Sequence, residues 1–203
     1  MKRCLVISTL FVFSLFSSTA AEKPAVTIDG EVPDFSLSDN AGKTYTLSDY
    51  RGSYVVLEWT NPDCPFVKKH YDSKNMQELQ KKYTAEKVVW FSICSSAEGK
   101  QGHYTGKQLD KRLKAMKPAH TAYLIDANGK VGRQFGAKTT PHMYIIDPEG
   151  TLVYTGAIDN RPSTKKEDID GAINYVTAAF DELLAGKDVT VKATKSYGCS
   201  VKY

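Results

Sequence analysis

The chain has 203 residues, 41% hydrophobic and 25% charged, with 27 basic residues against 23 acidic. That length and composition fit a soluble globular protein with room for one ordinary domain and a real core. The near-neutral charge balance gives no support to a nucleic-acid-binding function.

Lys2 and Arg3 precede an apolar run from Leu5 to Phe16, followed by Ser17-Ser18-Thr19-Ala20-Ala21. A basic start, a short apolar stretch and small residues at the end predict a signal peptide over residues 1–21. The run is too short and too rich in serine and threonine to span a bilayer comfortably. The expected product is exported, periplasmic or otherwise extracytoplasmic, with no membrane span in the mature chain. Removing Lys2 and Arg3 leaves 25 basic residues against 23 acidic, a formal charge of +2. Cys4 leaves with the signal, and Cys64, Cys94 and Cys199 remain in a compartment where disulfides persist. An odd count leaves at least one thiol free or paired between chains.

Beyond the signal, residues 22–185 read as one α/β domain and residues 186–203 as an extended tail carrying Cys199. Val32 to Leu37, which alternates like a strand, and Thr44 to Leu47 flank the turn Asn40-Ala41-Gly42-Lys43 and predict a hairpin. Val55-Val56-Leu57 is a continuous apolar run, the pattern of a strand covered on both faces. A helix is expected from Pro65 through Tyr71. A second helical piece runs to Tyr83, with Asn75 and Glu78 as its capping signal. Val88 to Cys94 is the next buried strand, Lys107 to Met116 a helix, Thr121 to Ile125 a strand and Val131 to Phe135 a short helix. Met143 to Ile146 and Leu152 to Gly156 form a hairpin around Pro148-Glu149-Gly150, and helical spacing runs from Asp168 to Leu184. Strands alternating with helices, closed by a hairpin and helix, predict an α/β sandwich on a mixed sheet.

The chemistry centres on Asn61-Pro62-Asp63-Cys64-Pro65. Turn residues stop the strand there, and Pro65 suits the first helical position, where its missing N–H costs nothing. Cys64 therefore falls at a helix N-cap, where unpaired amides favour a negative charge and the thiol ionises more easily. A cysteine that only packs is the weaker reading, because a strand-turn-Cys-Pro-helix arrangement is expected to expose the sulfur. Glu58 interrupts the apolar strand six residues earlier, and a buried carboxylate there has a raised pKa and a route to proton transfer with a nearby thiol. The alternative is a structural ion pair. Thr139-Thr140-Pro141 directly precedes a strand, where a proline enters but does not sit inside the ladder, in either isomer. Cys199, in Ser196-Tyr197-Gly198-Cys199-Ser200, is placed to resolve a sulfenic acid or mixed disulfide at Cys64; a static disulfide or a distant free thiol are the alternatives. Cys94 reads as a buried packing thiol.

Gly30-x-Val32-Pro33-Asp34-Phe35-x-Leu37, Gly42-Lys43, Leu47-Ser48-Asp49-Tyr50-x-Gly52, Val55-Val56-Leu57, Asp63-Cys64-Pro65 and Thr140-Pro141 together resemble the redoxin family. This thioredoxin-fold group contains the alkyl hydroperoxide reductase/thiol-specific antioxidant proteins and exported thioredoxin-like proteins. The resemblance covers about residues 30 to 184, and the tail around Tyr197-Gly198-Cys199 is similar to one exported bacterial subgroup. It implies a thioredoxin-like fold with an N-terminal hairpin extension. It also implies Cys64 as attacking cysteine, Glu58 as the buried acid, and Thr140, Pro141 and Pro65 beside the bound substrate. Two departures stand out. Val67 occupies the position of the second thioredoxin cysteine, and Asn61 stands where peroxiredoxins carry a threonine. No arginine matches the one that steadies the peroxide.

The expected function is thus a thiol-dependent oxidoreductase using Cys64 on disulfides or hydroperoxides. Cys199 or an external thiol reductant completes the cycle, without a cofactor. A second reading is a copper handler using Cys64, His70 and His142, since a thiolate with two imidazoles suits copper. A third is a non-catalytic interaction protein on the same scaffold.

Overall fold

A computed structural model describes residues 26–203 of the chain. The expected signal segment, residues 1–21, lies outside the described residues. The expected hairpin is present as β1 (Ser36–Ser38) and β2 (Thr44–Thr46), followed by a 3-10 turn over Leu47–Tyr50. Next come β3 (Val55–Trp59), α1 (Pro65–Asp72), α2 (Asn75–Ala85), β4 (Val89–Cys94), α3 (Gly106–Met116), β5 (Ala122–Ile125) and α4 (Lys130–Phe135). The chain closes with β6 (Thr139–Thr140), β7 (His142–Ile146), β8 (Leu152–Gly156), a 3-10 turn over Lys166–Ile169, α5 (Tyr175–Leu183) and β9 (Cys199–Ser200).

Seven strands form one mixed sheet in the order β2-β1-β5-β4-β3-β7-β8. β3, β4 and β5 run parallel, and β7 lies antiparallel to β3 with Trp59 opposite His142. The side-chain period of a strand sends alternate residues to opposite faces. Val55, Leu57 and Trp59 join Phe35, Tyr45, Phe91 and Phe135 in one core, under the hairpin and α4. Val56, Trp90, Met143 and Ile145 join Val67, Tyr71, Met76, Leu79, Tyr83 and Phe180 in a second core, under α1, α2 and α5. Both faces are buried, which is why the β3 sequence is a continuous apolar run rather than an alternation. The architecture is the thioredoxin-like α/β sandwich that the resemblance implies. None of the described helices is long and apolar enough to cross a membrane.

Two expected features differ. The helix read from Asp168 to Leu184 begins only at Tyr175, because Gly171 takes φ 73° and the Asn174 side chain caps the new start by accepting from the Thr177 N–H. Ile173, counted on the apolar stripe, is 57% exposed. Asn75 is not the N-cap of α2; Lys74 is, and the Asn75 amide turns back to His70 Nδ1 at 2.9 Å.

The chain beyond α5 is docked on the body at several points. Thr194 donates to the Thr155 carbonyl beside β8, β9 pairs antiparallel with β6, Val201 donates to the Lys138 carbonyl, and the Tyr203 hydroxyl donates to Ala137 O.

Candidate active site

β3 delivers the chain to the edge of the sheet, and Asn61 turns it. Asn61 Oδ1 accepts from the Asp63 N–H at 2.9 Å and its carbonyl from the Cys64 N–H at 3.0 Å. Cys64 keeps extended angles (φ −71°, ψ 124°), while its carbonyl accepts the first helical bond from Lys68 at 2.9 Å. It is thus the N-cap of α1, with Pro65 next in line, as the sequence predicts. Asp63 is pinned from the other side by the Tyr104 hydroxyl at 2.5 Å and by Arg112 at 3.1 Å.

Opposite the cap stands the Thr140–Pro141 peptide, which is cis. The Cys64 thiol donates to the Thr140 carbonyl at 3.1 Å. Cys199 is the register partner of Thr140 across the β6–β9 pair. Burial pushes the Cys64 thiol up, but hydrogen bonds with Cys199 and Thr140 and from the Val67 N–H outweigh it, so its pKa lies below the ordinary thiol value. The Thr140 hydroxyl is buried and has no other hydrogen-bond partner. Burial and the adjoining Cys64 sulfur push Cys199 the other way, up to about 11. The two environments thus pull the pKa values of the two thiols apart. Neither is in a disulfide.

The expected exposure of Cys64 is not found: its residue exposure is 0%. The N-cap position is as read, but the tail strand covers the sulfur, and Cys199 itself is half-buried against it. Pro65, expected beside the substrate, is exposed at the start of α1.

Glu58 is fully buried and caged by donors. Tyr71 Oη, Gln80 Nε2, Trp90 Nε1 and Ser92 Oγ all reach its carboxyl oxygens at 3.0 to 3.2 Å. Burial raises its pKa, as expected, against the pull of those hydrogen bonds. Cys64 is not among its partners. Cys94 is a packing thiol beside Leu109 and Tyr123, as read from the sequence. His70 and His142 do not gather with Cys64 into a metal site. His70 binds Asn75 and Tyr197, and His142 lies against Tyr144 and Thr155. Among the described residues no three His, Cys, Asp or Glu side chains are grouped to hold a metal ion.

Sequence reasoning missed one cluster. Behind α1, Lys69 Nζ lies 3.5 Å from Asp159 Oδ2 and donates to the Arg161 carbonyl at 2.8 Å, with both side chains buried. Tyr197 Oη, on the tail, donates to Asp159 Oδ1 at 2.5 Å. The only trace in the sequence is a lysine next to the histidine on the apolar face of α1.

A thioredoxin-like sheet that sets a helix-capping cysteine against a cis-proline defines the redoxin class of thiol-dependent oxidoreductases. The comparisons with known proteins agree. The chain belongs to the AhpC/TSA family, whose model matches residues 28–155. That span holds Cys64 and Pro141, and the tail with Cys199 falls after it. The chain is similar to the thiol-disulfide oxidoreductase ResA of Geobacillus thermodenitrificans, with 28% identity over 138 residues, 63% of this chain and 79% of that protein. It is also similar to the thiol:disulfide interchange protein DsbE of Vibrio cholerae, with 26% identity over 168 residues, 77% of this chain and 83% of that one. A solved structure of an uncharacterized conserved protein from Geobacillus kaustophilus superimposes with a TM-score of 0.74 and 26% identity, over 87% of this chain and 92% of that one.

Proposed function

We propose that the protein is an exported thiol-disulfide oxidoreductase in which Cys64 attacks and Cys199 resolves. The observation that carries this reading is the pairing of the two thiols across the Thr140–Pro141 segment, one pKa lowered and the other raised. The Cys64 thiolate attacks one sulfur of a substrate disulfide, forming a mixed disulfide and releasing the other half as a thiol. Cys199 then loses its proton and attacks the Cys64 sulfur, closing Cys64–Cys199 and releasing the second thiol. The substrate gains two electrons, and an external thiol reductant restores the enzyme. Cys199 thereby stands in for the second cysteine of a C-x-x-C pair, whose position is Val67. The basic and apolar start of the chain supports export to the periplasm, and the relatives named for thiol-disulfide exchange support the substrate class.

The match to the AhpC/TSA family favours a second reading, in which Cys64 reduces a hydroperoxide. The Cys64 sulfur takes one peroxide oxygen to become a sulfenic acid, an alcohol leaves, and Cys199 condenses with the sulfenic acid to release water. Both readings run through the same disulfide. The test is turnover of a protein disulfide and of a hydroperoxide by the purified protein, with non-reducing mass spectrometry of the product. Cys64→Ser should abolish turnover, and Cys199→Ser should stop it at a mixed disulfide or sulfenic acid. Undiminished steady turnover by Cys199→Ser would remove the resolving role, and activity in Cys64→Ser would remove the reading altogether.

A further inference from the structure

The pairing of Cys199 with Cys64 depends on how the tail is held, and the strand that carries Cys199 does not hold itself. β9 is two residues long, and a pair of this size is marginal in water without support. Downstream, Val201 donates to the Lys138 carbonyl and the Tyr203 hydroxyl to the Ala137 carbonyl; upstream, the support comes from Tyr197, two residues before Cys199. The ring lies edge-on to Phe66 of α1 at 5.9 Å between centroids, with Lys69 Nζ 5.8 Å from its own centroid. The hydroxyl enters the buried cluster behind α1, 2.5 Å from Asp159 Oδ1 and 3.2 Å from His70 Nε2. One neutral tautomer of His70 suits both of its hydrogen-bonding partners, Tyr197 and Asn75. Nε2–H donates to the tyrosine oxygen, Nδ1 accepts from the Asn75 amide, and the tyrosine O–H is left to donate to Asp159.

Gly198 fills the step between anchor and thiol. It takes φ 133°, and a Cβ there would collide with the Thr140 carbonyl. Tyr197, Gly198 and Cys199 therefore supply an anchor, clearance and the sulfur in successive positions. Register matters at this site because a slip of one residue turns a strand's side chains to the opposite face.

We propose that Tyr197 is the positioning residue of the redox pair: its hydroxyl, seated in the Lys69–His70–Asp159 cluster, latches the tail so that Cys199 is held on Cys64 and the sulfur is closed to outside molecules. The proposal rests on the Cys64–Cys199 reading given above and adds what governs it. With the latch shut, Cys64 has 0% exposure, so a substrate disulfide reaches it only when the tail lifts. Once Cys64 carries a mixed disulfide, the tail must re-seat before Cys199 attacks. One equilibrium thus controls two steps in opposite directions.

The aromatic disulfide dithiobis(nitrobenzoate) reads both steps on the reduced full-length chain. Attack by the Cys64 thiolate releases one nitrothiobenzoate in a second-order phase that reports access. Attack by Cys199 on the Cys64 mixed disulfide releases the second in a first-order phase that reports positioning. Tyr197→Phe keeps the ring and removes the hydroxyl. Loss of one hydrogen bond to a charged group corresponds to roughly a tenfold change or more. The first phase should speed up by about that factor and the second slow by about the same factor. Gly198→Ala, which pushes β9 off Thr140 without touching the cluster, should move both phases in the same directions. Cys94, followed by peptide mass spectrometry, should react at its wild-type rate in both variants, which separates a loosened latch from a loosened fold. If the wild type closes Cys64–Cys199 and Tyr197→Phe leaves both phases unchanged, the latch is wrong and the pair stands. If the wild type never releases the second nitrothiobenzoate, the pair is wrong and the latch falls with it.

Discussion

At the scale of single residues, the buried Glu58 carboxyl ties four neighbours to β3. Its carboxyl oxygens join β3 to β4 through Trp90 and Ser92, and to α1 and α2 through Tyr71 and Gln80. Burial raises its pKa, so the folded protein holds the proton more tightly than the unfolded chain. For a raised carboxyl, that contribution is full below the unfolded value and is lost as pH rises through the folded one. Glu58→Gln keeps an oxygen for Trp90 and Ser92 and turns its amide toward the Tyr71 oxygen, without charge. At neutral pH it should fall within about 1 kcal/mol of wild type in urea unfolding, or above it. Glu58→Leu leaves Trp90 Nε1 buried without an acceptor and should cost about 2–4 kcal/mol. Equal losses in the two variants would mean that the charge itself is what the cage requires.

Between elements, the buried Lys69–Asp159 pair fastens α1 to the segment after β8, and through Tyr197 to the tail. Removing one partner of such a pair strands the other charge, at roughly 3–5 kcal/mol, whereas removing both costs far less. Lys69→Met should be strongly destabilising in urea, and Lys69→Met with Asp159→Asn should recover most of the loss. Additive losses in that double-mutant cycle would show that the two groups do not interact. The element order was readable from the sequence because strand and helix signals here are local: an apolar run for β3, turn residues before Cys64 and a proline just after it. The start of α5 was not. Ile169 and Ile173 keep helical spacing, yet Gly171 at φ 73° breaks the helix, and Ile173 faces solvent. Periodicity reports what a helix would bury, not whether the backbone continues through a glycine.

Across the whole molecule, the same distinction separates the legible part of the site from the rest. Cys64, Thr140 and Pro141 announce themselves in short motifs. The latch does not, because His70 and Tyr197 are 127 residues apart, and Lys69 and Arg161 are 92. The burial of Cys64 was missed for the same reason, since what covers it is the far end of the chain. That long-range packing also makes the fold sensitive to acid. His70, His120 and His142 sit in different parts of the molecule, and burial pushes each of them down to about 4. Asp159 pulls His70 the other way and Lys69 reinforces the burial, while Lys138 adds to it at His142. A histidine with a depressed pKa stays neutral in the fold, while the unfolded chain takes up its proton near pH 6.5. Its contribution is therefore complete above that pH and is lost as pH falls toward 4, up to about 3 kcal/mol for a group as buried as His70. Glu58, whose pKa burial raises, acts in the opposite sense. The urea midpoint should fall steadily between about pH 6.5 and pH 4. The imidazole resonances of His70, His120 and His142 should stay in the neutral position over most of that interval. A midpoint that holds constant, or a His70 resonance that titrates near its free value, would show that the cluster behind α1 accepts a second positive charge beside Lys69. The tyrosine latch would then be held by an imidazolium rather than by a neutral ring.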